Sequence, residues 1–235
     1  MERFSSHSQM FVLEELEQRA HLSATLLSAY YPLKPGWEWI YNEVNDGENK
    51  TDTVSILSGM VRAHGERAFQ LMKDNGDGPG IMLVNVGKSG RVQFHRSHDD
   101  SSGLTYNPAF AYPKYAKVGQ SSVMDGELDL FSDGGHVKGQ YHIDSRVVKI
   151  EQVQVAAGTF STIKIQSSLS IVLRKKVPGG TNTIRGTTTS NLWLAKGIGK
   201  VKEIIRTHAV SDIGGKHEVE DNVCKDALRS YTPAT

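Results

Sequence analysis

The sequence has little of what marks several large classes of protein. Among 235 residues there is one cysteine, Cys224, so the chain has no intrachain disulfide and no zinc site built from several cysteines. Lysine and arginine number 27 against 26 aspartate and glutamate residues, a formal net charge of +1. Because nucleic acids and anionic membranes are bound through excess positive charge, we expect neither as a partner.

Long apolar runs are also missing. A helix that crosses a bilayer needs about 20 apolar residues, and no run in this chain approaches that length, so we do not expect it to span a membrane. The first ten residues are polar, and no apolar segment of roughly 7–15 residues follows a basic start, as it would in a secretory signal. Taken alone, these features predict a cytoplasmic protein.

The common motifs of enzyme chemistry are incomplete. The stretch GIGKVK (197–202) lacks the third glycine of the dinucleotide fingerprint, and VGKSG (86–90) follows Met82 where a phosphate-binding loop needs its leading glycine. A G-x-S-x-G nucleophile elbow does not occur. We therefore assign no catalytic residue and no cofactor, and an enzyme is the less favoured interpretation.

The best metal-binding candidate is FHRSHDD (94–100), through His95, His98, Asp99 and Asp100. On a strand, positions three apart face opposite sides, so the two histidines converge only if the strand ends between them. A solvated strand end is the preferred interpretation, and we assign no metal site. A metal-assisted hydrolase built on these residues stays as an alternative.

The sequence does contain many segments in which apolar and polar residues alternate, as they do on β-strands. WEWIYNEV places Trp37, Trp39 and Tyr41 on one face of a strand. Asn45-Asp46-Gly47 then supplies a tight hairpin turn. The same pattern of short strands and glycine-rich turns continues to about residue 210, and no βαβ alternation appears. We predict a mainly β domain over 30–210, a curved antiparallel sheet of sandwich-like or barrel-like form.

The two ends of the chain have a different character. Apolar residues recur at helical spacing between Phe11 and Ala29, which predicts an amphipathic N-terminal helix in a separate segment, residues 1–29. Residues 211–235 are polar and are predicted to form a C-terminal tail. Within that tail, EVEDNVCKDALRS (218–230) is consistent with a short helix.

Part of the N-terminal segment, LEELEQRAHLSA (13–24), resembles the LEPR-XLL motif of exported planctomycete proteins. The matching residues are Leu16, Glu17, Arg19, Leu22, Ser23 and Ala24. The resemblance implies a sorting segment and a protein that works in the cell envelope or outside the cell. If the match is fortuitous, the segment is a helix docked on the domain or left in solvent, and the protein is cytoplasmic.

Three further segments, in order, resemble an uncharacterised group of bacterial envelope proteins and lipoproteins, domains of unknown function likened to the half-barrel of lipoprotein-localisation factors. They are YYPLKPGWEWIY (30–41), VQVAAGTFSTIKI (153–165) and LWLAKGIGKVKEI (192–204). The resemblance implies a fold and a location, and it supplies no catalytic residues.

These observations favour a non-enzymatic, envelope-associated or secreted β-domain. We expect it to bind a lipid or other apolar small molecule, or a segment of a partner protein, in the concavity of its sheet. Large aromatic side chains are the candidate walls of that site: Trp37, Trp39, Tyr41, Phe94 and Trp193. The alternative is a structural or protein-interaction module in which the same aromatic residues fill a core without a cavity.

Overall fold

Twelve antiparallel strands form a closed barrel in a computed structural model that describes residues 25–76, 78–132, 135–178 and 180–234. Each strand pairs with its neighbours in sequence, and β1 also pairs with β12. The strands are β1 (Glu38–Asn45), β2 (Glu48–Ala63), β3 (Glu66–Asp74), β4 (Pro79–Val86), β5 (Val92–His98), β6 (Ser102–Ala111), β7 (Ser121–Ser132), β8 (Gly135–Val155), β9 (Gly158–Val177), β10 (Gly180–Ala195), β11 (Gly199–Ile213) and β12 (Lys216–Thr232).

The predicted up-and-down, barrel-like β architecture is confirmed, whereas the sandwich and the half-barrel implied by the resemblance are wrong because the sheet closes. Strand β12 pairs with β1 from Glu38 opposite Thr232 to Asn45 opposite Cys224. Closure leaves no strand edge with unpaired backbone groups. Paired strands of this length satisfy the backbone of all twelve elements, which an open sheet cannot do at its two edges.

The predicted C-terminal tail and its short helix are also wrong. Residues 211–235 contain the end of β11 and all of β12 that the structure describes, and the barrel therefore extends well beyond residue 210. The polar character of this strand misled the prediction, because it was taken as a sign of solvent on both faces. In the barrel, alternate polar residues of β12 point inward, where other polar side chains meet them.

A short stretch ahead of β1, the plug segment (residues 25–36), closes one end of the barrel. Leu27 is fully buried there, and its backbone N–H donates to the carbonyl of Lys114 at 2.9 Å. The N–H of Gly197 donates to the carbonyl of Ala29, also at 2.9 Å. These bonds tie the plug segment to the loop before β7 and to the turn between β10 and β11.

The predicted N-terminal helix (Phe11–Ala29) is not found in the part that is described. Residues 1–24 lie outside the described ranges, Leu26 forms an isolated bridge with Tyr115, and Leu27–Tyr30 form a single 3-10 turn. The described residues are thus paired with the barrel instead of continuing a helix. In the described ranges, no helix has the length and apolar content that crossing a membrane requires.

The side chains inside the barrel form different environments on its two sides. Buried apolar residues of β6 to β10 pack into one continuous wall that includes Tyr106, Leu128, Tyr141 and Ile143. On the other side, a row of charged residues from β1, β2, β3, β11 and β12 faces inward. The cavity described next lies between these two walls.

Candidate functional site

A cavity of about 280 Å³ lies inside the barrel, next to the plug segment. Tyr31, Pro32 and Leu33 of the plug segment line it on one side. The barrel wall around it is largely aromatic and aliphatic and includes Trp39, Tyr41, Leu71, Met82, Phe94 and Tyr112. Its polar lining consists of Lys73, Lys200 and Glu203.

Strand alternation on β1 places two of the predicted wall residues in this cavity. Trp39 and Tyr41 are two residues apart, so both point inward. Nε1 of Trp39 donates to the carbonyl oxygen of Ile198 at 2.6 Å, and the hydroxyl of Tyr41 donates to the carbonyl oxygen of Lys200 at 3.1 Å. Because their polar atoms are satisfied by the backbone of β11 and the turn before it, both rings present fixed apolar faces to the cavity.

The opposite aromatic wall comes from β5, β6 and the plug segment. Phe94 lies opposite Phe110 in the strand register, and their rings stack with centroids 4.7 Å apart. Tyr112 meets Phe94 edge to face at 5.2 Å, and Tyr31 does so at 6.1 Å. Burial raises the pKa of Tyr31 and of Tyr112, so both phenols stay neutral at physiological pH. This wall is therefore apolar and uncharged.

The structure brings together three of the five predicted wall residues and separates two. Trp39, Tyr41 and Phe94 line the cavity. Trp37 precedes β1 and packs against Trp39 and Tyr231, with ring centroids 5.4 and 6.3 Å away, so it supports the wall from behind.

Trp193 lies on the outer face of the barrel instead. Its neighbours along β10, Leu192 and Leu194, belong to the interior cluster, so Trp193 between them points outward. Its Nε1 donates to a carboxylate oxygen of Glu151 at 2.8 Å, and the Nζ atoms of Lys164 and Lys202 lie 4.7 and 5.2 Å from its ring centroid. These charged side chains cover the indole, which leaves it only 8% exposed without placing it in the core.

Six charged side chains form a second feature beside the cavity, the interior charge cluster (Glu43, Asp52, Lys73, Lys200, Glu203 and Asp226). Three of its carboxylates are almost completely buried: Asp52 is 0%, Glu43 2% and Asp226 3% exposed. Nζ of Lys73 lies 2.8 Å from Glu43 and 3.3 Å from Asp52. Nζ of Lys200 contacts Asp226 and lies 3.4 Å from Glu203. Two lysines thus hold four carboxylates inside the barrel.

The protonation of these groups follows from burial and from their neighbours. Burial by itself lowers the pKa of Lys200, but attraction to Asp226 and Glu203 outweighs it and leaves the pKa well above its ordinary value. Burial raises the pKa of Asp52, and the charge of Lys73 offsets part of that shift. The lysines are therefore charged, and Asp52 takes up a proton more readily than an exposed aspartate does.

Sequence reasoning missed all six residues of this cluster. Their common signal was the alternation itself: Glu43 follows Trp39 and Tyr41 at the same spacing, so it shares their inward face. Asp226 of β12 was missed because it lies in the segment that was predicted to form a short helix (218–230). A charged residue at an inward position of a predicted strand would have indicated a buried polar group.

The metal candidate of the sequence does not assemble. His95 is buried beside β4, where its Nε2 lies 3.1 Å from the amide oxygen of Asn85 and its Nδ1 lies 3.3 Å from Nδ1 of His64. Asp99 instead accepts hydrogen bonds from the backbone N–H groups of Ser101 and Ser102 at 2.7 Å, which lowers its pKa to about 2. Asp99 thus stabilises the turn between β5 and β6.

Comparisons with known proteins find similarity to a domain of unknown function and to two solved structures. The family model described as DUF3108-like matches residues 105–204, which run from β6 into β11. No curated protein sequence matches this chain significantly. The planctomycete resemblance of residues 13–24 receives no support from these comparisons.

Two solved structures are similar to the chain over the same extent. One is a Bacteroides fragilis protein described as exported and as having a YmcC-like fold; it is 16% identical, with a TM-score of 0.52, and the match covers 89% of this chain and 100% of the other. The second, from Parabacteroides distasonis and described as a lipoprotein, is 12% identical, with a TM-score of 0.48 and the same coverage. At this level of identity, the first likeness shows a shared fold.

Proposed function

We propose that this protein is a non-enzymatic, envelope-associated or secreted barrel that binds an apolar ligand in its interior cavity. The observation that carries the proposal is the cavity of about 280 Å³ between Trp39, Tyr41 and the aromatic wall around Phe94. A buried aromatic pocket with few polar groups is the usual form of a small-molecule site. Its neutral walls favour an apolar ligand, since transferring apolar surface from water is favourable.

The size of the cavity limits the ligand. If a small group occupies about 30 Å³, as a water molecule does in the liquid, the cavity holds roughly ten non-hydrogen atoms. That is one short acyl chain or one small ring system. A lipid with several long chains does not fit unless most of it stays outside the barrel.

The envelope location has support of a different kind. The sequence resembles envelope proteins and lipoproteins over 30–206, and the similar solved structures are described as an exported protein and a lipoprotein. We propose that residues 1–29 direct the chain to this location. Fractionation of cells that express the chain with and without residues 1–24 tests this: the full chain is expected in the envelope or medium, and a full chain confined to the cytoplasm would refute the location.

A structural or protein-interaction module with a filled core is the second candidate. The cavity volume is close to the lower limit of about 300 Å³ for ligand sites, and this observation favours the module. The two candidates differ in one measurable property. A ligand site has saturable affinity for apolar molecules, whereas a filled core has no space to admit them.

Fluorescence titration with 1-naphthylamine, a small neutral aromatic fluorophore, tests the proposal. We expect saturable binding to the wild-type protein at one site. Val54→Phe places a larger side chain in the cavity, since Val54 lines it, and is expected to weaken binding at least about tenfold. Val123→Phe makes the same exchange at a side chain that is 57% exposed on β7 and is expected to leave binding unchanged.

Circular dichroism and urea unfolding establish that both variants are folded. Two results would contradict the ligand site: no saturable binding to the wild-type protein, or equal affinity of the wild-type protein and folded Val54→Phe. Either result would leave the structural module as the better account.

A further inference from the structure

Donor atoms of three side chains converge in the barrel wall next to the cavity. Glu43 of β1 and Cys224 and Asp226 of β12 each offer one ligand atom, and these atoms all lie within 4.8 Å of one another. Sγ of Cys224 is 3.8 Å from Oδ1 of Asp226. The strand register explains the arrangement, because Glu43 lies directly opposite Asp226 and Cys224 follows on the same face of β12. Backbone pairing therefore holds the three donors close together.

The lysines leave part of each carboxylate available. Lys73 contacts Oε2 of Glu43, and Lys200 contacts Oδ2 of Asp226. Oδ1 of Asp226 is the oxygen nearest the Cys224 thiol. A ligand whose second atom is held by another group keeps its orientation, which is how outer partners tune metal sites.

The local charge favours a cation. The interior charge cluster has four carboxylates and two ammonium groups, a sum of −2 when all are ionised. Counting Lys50, which lies opposite Glu43 on β2, still leaves the carboxylates in excess by one. Uncompensated buried charge is costly, and an added divalent cation would compensate it.

Asp52 supplies an independent indication of a ligand. It is fully buried, and its Oδ1 has no hydrogen-bond partner among the described residues. Its Oδ2 forms an ion pair at 3.3 Å with Lys73, which also contacts Glu43, so Asp52 and Glu43 share one ammonium group. Buried carboxylate oxygens are normally hydrogen-bonded or bound to a metal, so Oδ1 of Asp52 has an unmet requirement that a cation would satisfy.

We propose that Glu43, Cys224 and Asp226, which lie near the buried carboxylate of Asp52, bind one divalent first-row transition-metal ion, with Zn²⁺ as the expected occupant. A thiolate and carboxylates suit Zn²⁺, whereas Mg²⁺ and Ca²⁺ prefer sites made of oxygen alone. The site lies in the wall beside the cavity, and its existence does not depend on the proposed ligand.

Binding requires the thiol to ionise. The Sγ–H bond of Cys224 breaks, the electron pair stays on sulfur and forms the bond to the metal, and the proton passes to solvent. Metal binding is therefore expected to strengthen as pH rises and to release a proton for each ion bound.

Titration of chelator-treated, reduced protein with Co²⁺, which replaces Zn²⁺ in such sites and is coloured, tests the proposal. We expect a thiolate-to-cobalt charge-transfer band in the near ultraviolet that saturates at one equivalent. Added Zn²⁺ is expected to displace Co²⁺ and abolish the band. Release of a proton in weakly buffered solution provides a second readout.

Two variants and a matched control assign the ligands. Cys224→Ser is expected to abolish the charge-transfer band and to weaken Zn²⁺ binding by roughly tenfold or more, since even outer partners of metal ligands contribute about that much. Glu43→Gln is expected to weaken binding by a similar factor. Glu38→Gln lies on the same strand but on its exposed outer face, and it is expected to change nothing.

The Co²⁺ spectrum of wild-type protein tests the proposed metal site even if a variant fails to fold. The proposal would be overturned if wild-type protein gave no charge-transfer band with Co²⁺. It would equally be overturned if folded Cys224→Ser bound Zn²⁺ as tightly as wild-type protein, which would place the ion elsewhere.

Discussion

The two interior walls of this barrel follow the same alternation but have opposite chemistry. From β6 to β10, inward positions hold residues such as Leu128, Ile143 and Leu173, which pack without polar atoms. On the other side, inward positions of β1, β2 and β12 hold Glu43, Asp52 and Asp226, which are buried almost completely. An inward position on a strand therefore specifies burial, and the neighbouring strands decide whether the buried group is apolar or charged.

The largest expected loss of stability comes from removing a lysine of the interior charge cluster. Lys200→Met leaves Asp226 and Glu203 without the ammonium group between them, and breaking a buried ion pair costs about 3–5 kcal/mol. Lys202→Met, on the outer face over Trp193, is the control and is expected to cost less than about 1 kcal/mol. Urea unfolding at pH 7 measures the loss of stability in both variants. Equal losses would show that Lys200 stabilises the fold no more than a lysine on the outer face does.

The apolar wall gives the complementary test. Ile165→Ala removes a fully buried side chain of the interior and is expected to lower the free energy of unfolding by about 2–5 kcal/mol. Ile150→Ala makes the same change at a side chain that is 50% exposed on β8, and we expect a change within about 0.5 kcal/mol. A similar loss in the two variants, measured by urea unfolding, would contradict the placement of these strand faces.

A smaller effect, which depends on pH, comes from Asp52. Because burial raises its pKa in the folded chain above the ordinary value near 3.8, the folded chain binds this proton more tightly than the unfolded chain. The resulting stability is present below pH 3.8 and is lost as pH rises through the folded pKa. Metal-free Asp52→Asn, which remains neutral, is therefore expected to be more stable than wild-type protein at pH 7.

Thermal unfolding between pH 3.5 and 7, with chelator present, checks this expectation. The advantage of Asp52→Asn over the wild-type protein should shrink as the pH falls. Asp144→Asn, at an exposed position of β8, is the control. A variant less stable than wild-type protein at pH 7 would mean that attraction to Lys73 outweighs the cost of burying the charge.

The smallest effect is expected outside both walls. Trp193→Phe removes the hydrogen bond to Glu151 and is expected to cost about 0.5–1.5 kcal/mol of stability. It should leave the affinity for 1-naphthylamine unchanged, whereas Trp39→Phe should lower that affinity because Trp39 lines the cavity. Titration of both variants compares them directly, and lower affinity in Trp193→Phe would contradict its outward placement.

The contrast between the apolar and the charged interior walls also explains how much of the fold the sequence could predict. Alternation identified strands wherever one face was apolar, as in WEWIYNEV and around Ile163 and Ile165, and these predictions are confirmed. It failed on β12, where both faces carry polar residues and the pattern read as a tail or short helix. Closure of the sheet depended on that strand, so the barrel was predicted as an open half-barrel.

The site was predicted in part for a similar reason. Large aromatic residues drew attention to Trp39, Tyr41 and Phe94, which do line the cavity, and also to Trp193, which alternation around Leu192 and Leu194 places outside. Alternation gave a local signal for single members of the interior charge cluster, such as Glu43, but none for their convergence, because the members come from five different strands. Their convergence follows from strand register, which a single sequence does not specify.

Native mass spectrometry of protein purified without detergent tests the central claim most directly. The account predicts a single bound apolar molecule of roughly ten non-hydrogen atoms, or stoichiometric uptake of one when 1-naphthylamine is added. The molecule should be retained by Val123→Phe and lost from Val54→Phe. Wild-type protein that carries no ligand and takes up no more 1-naphthylamine than Val54→Phe does would contradict it.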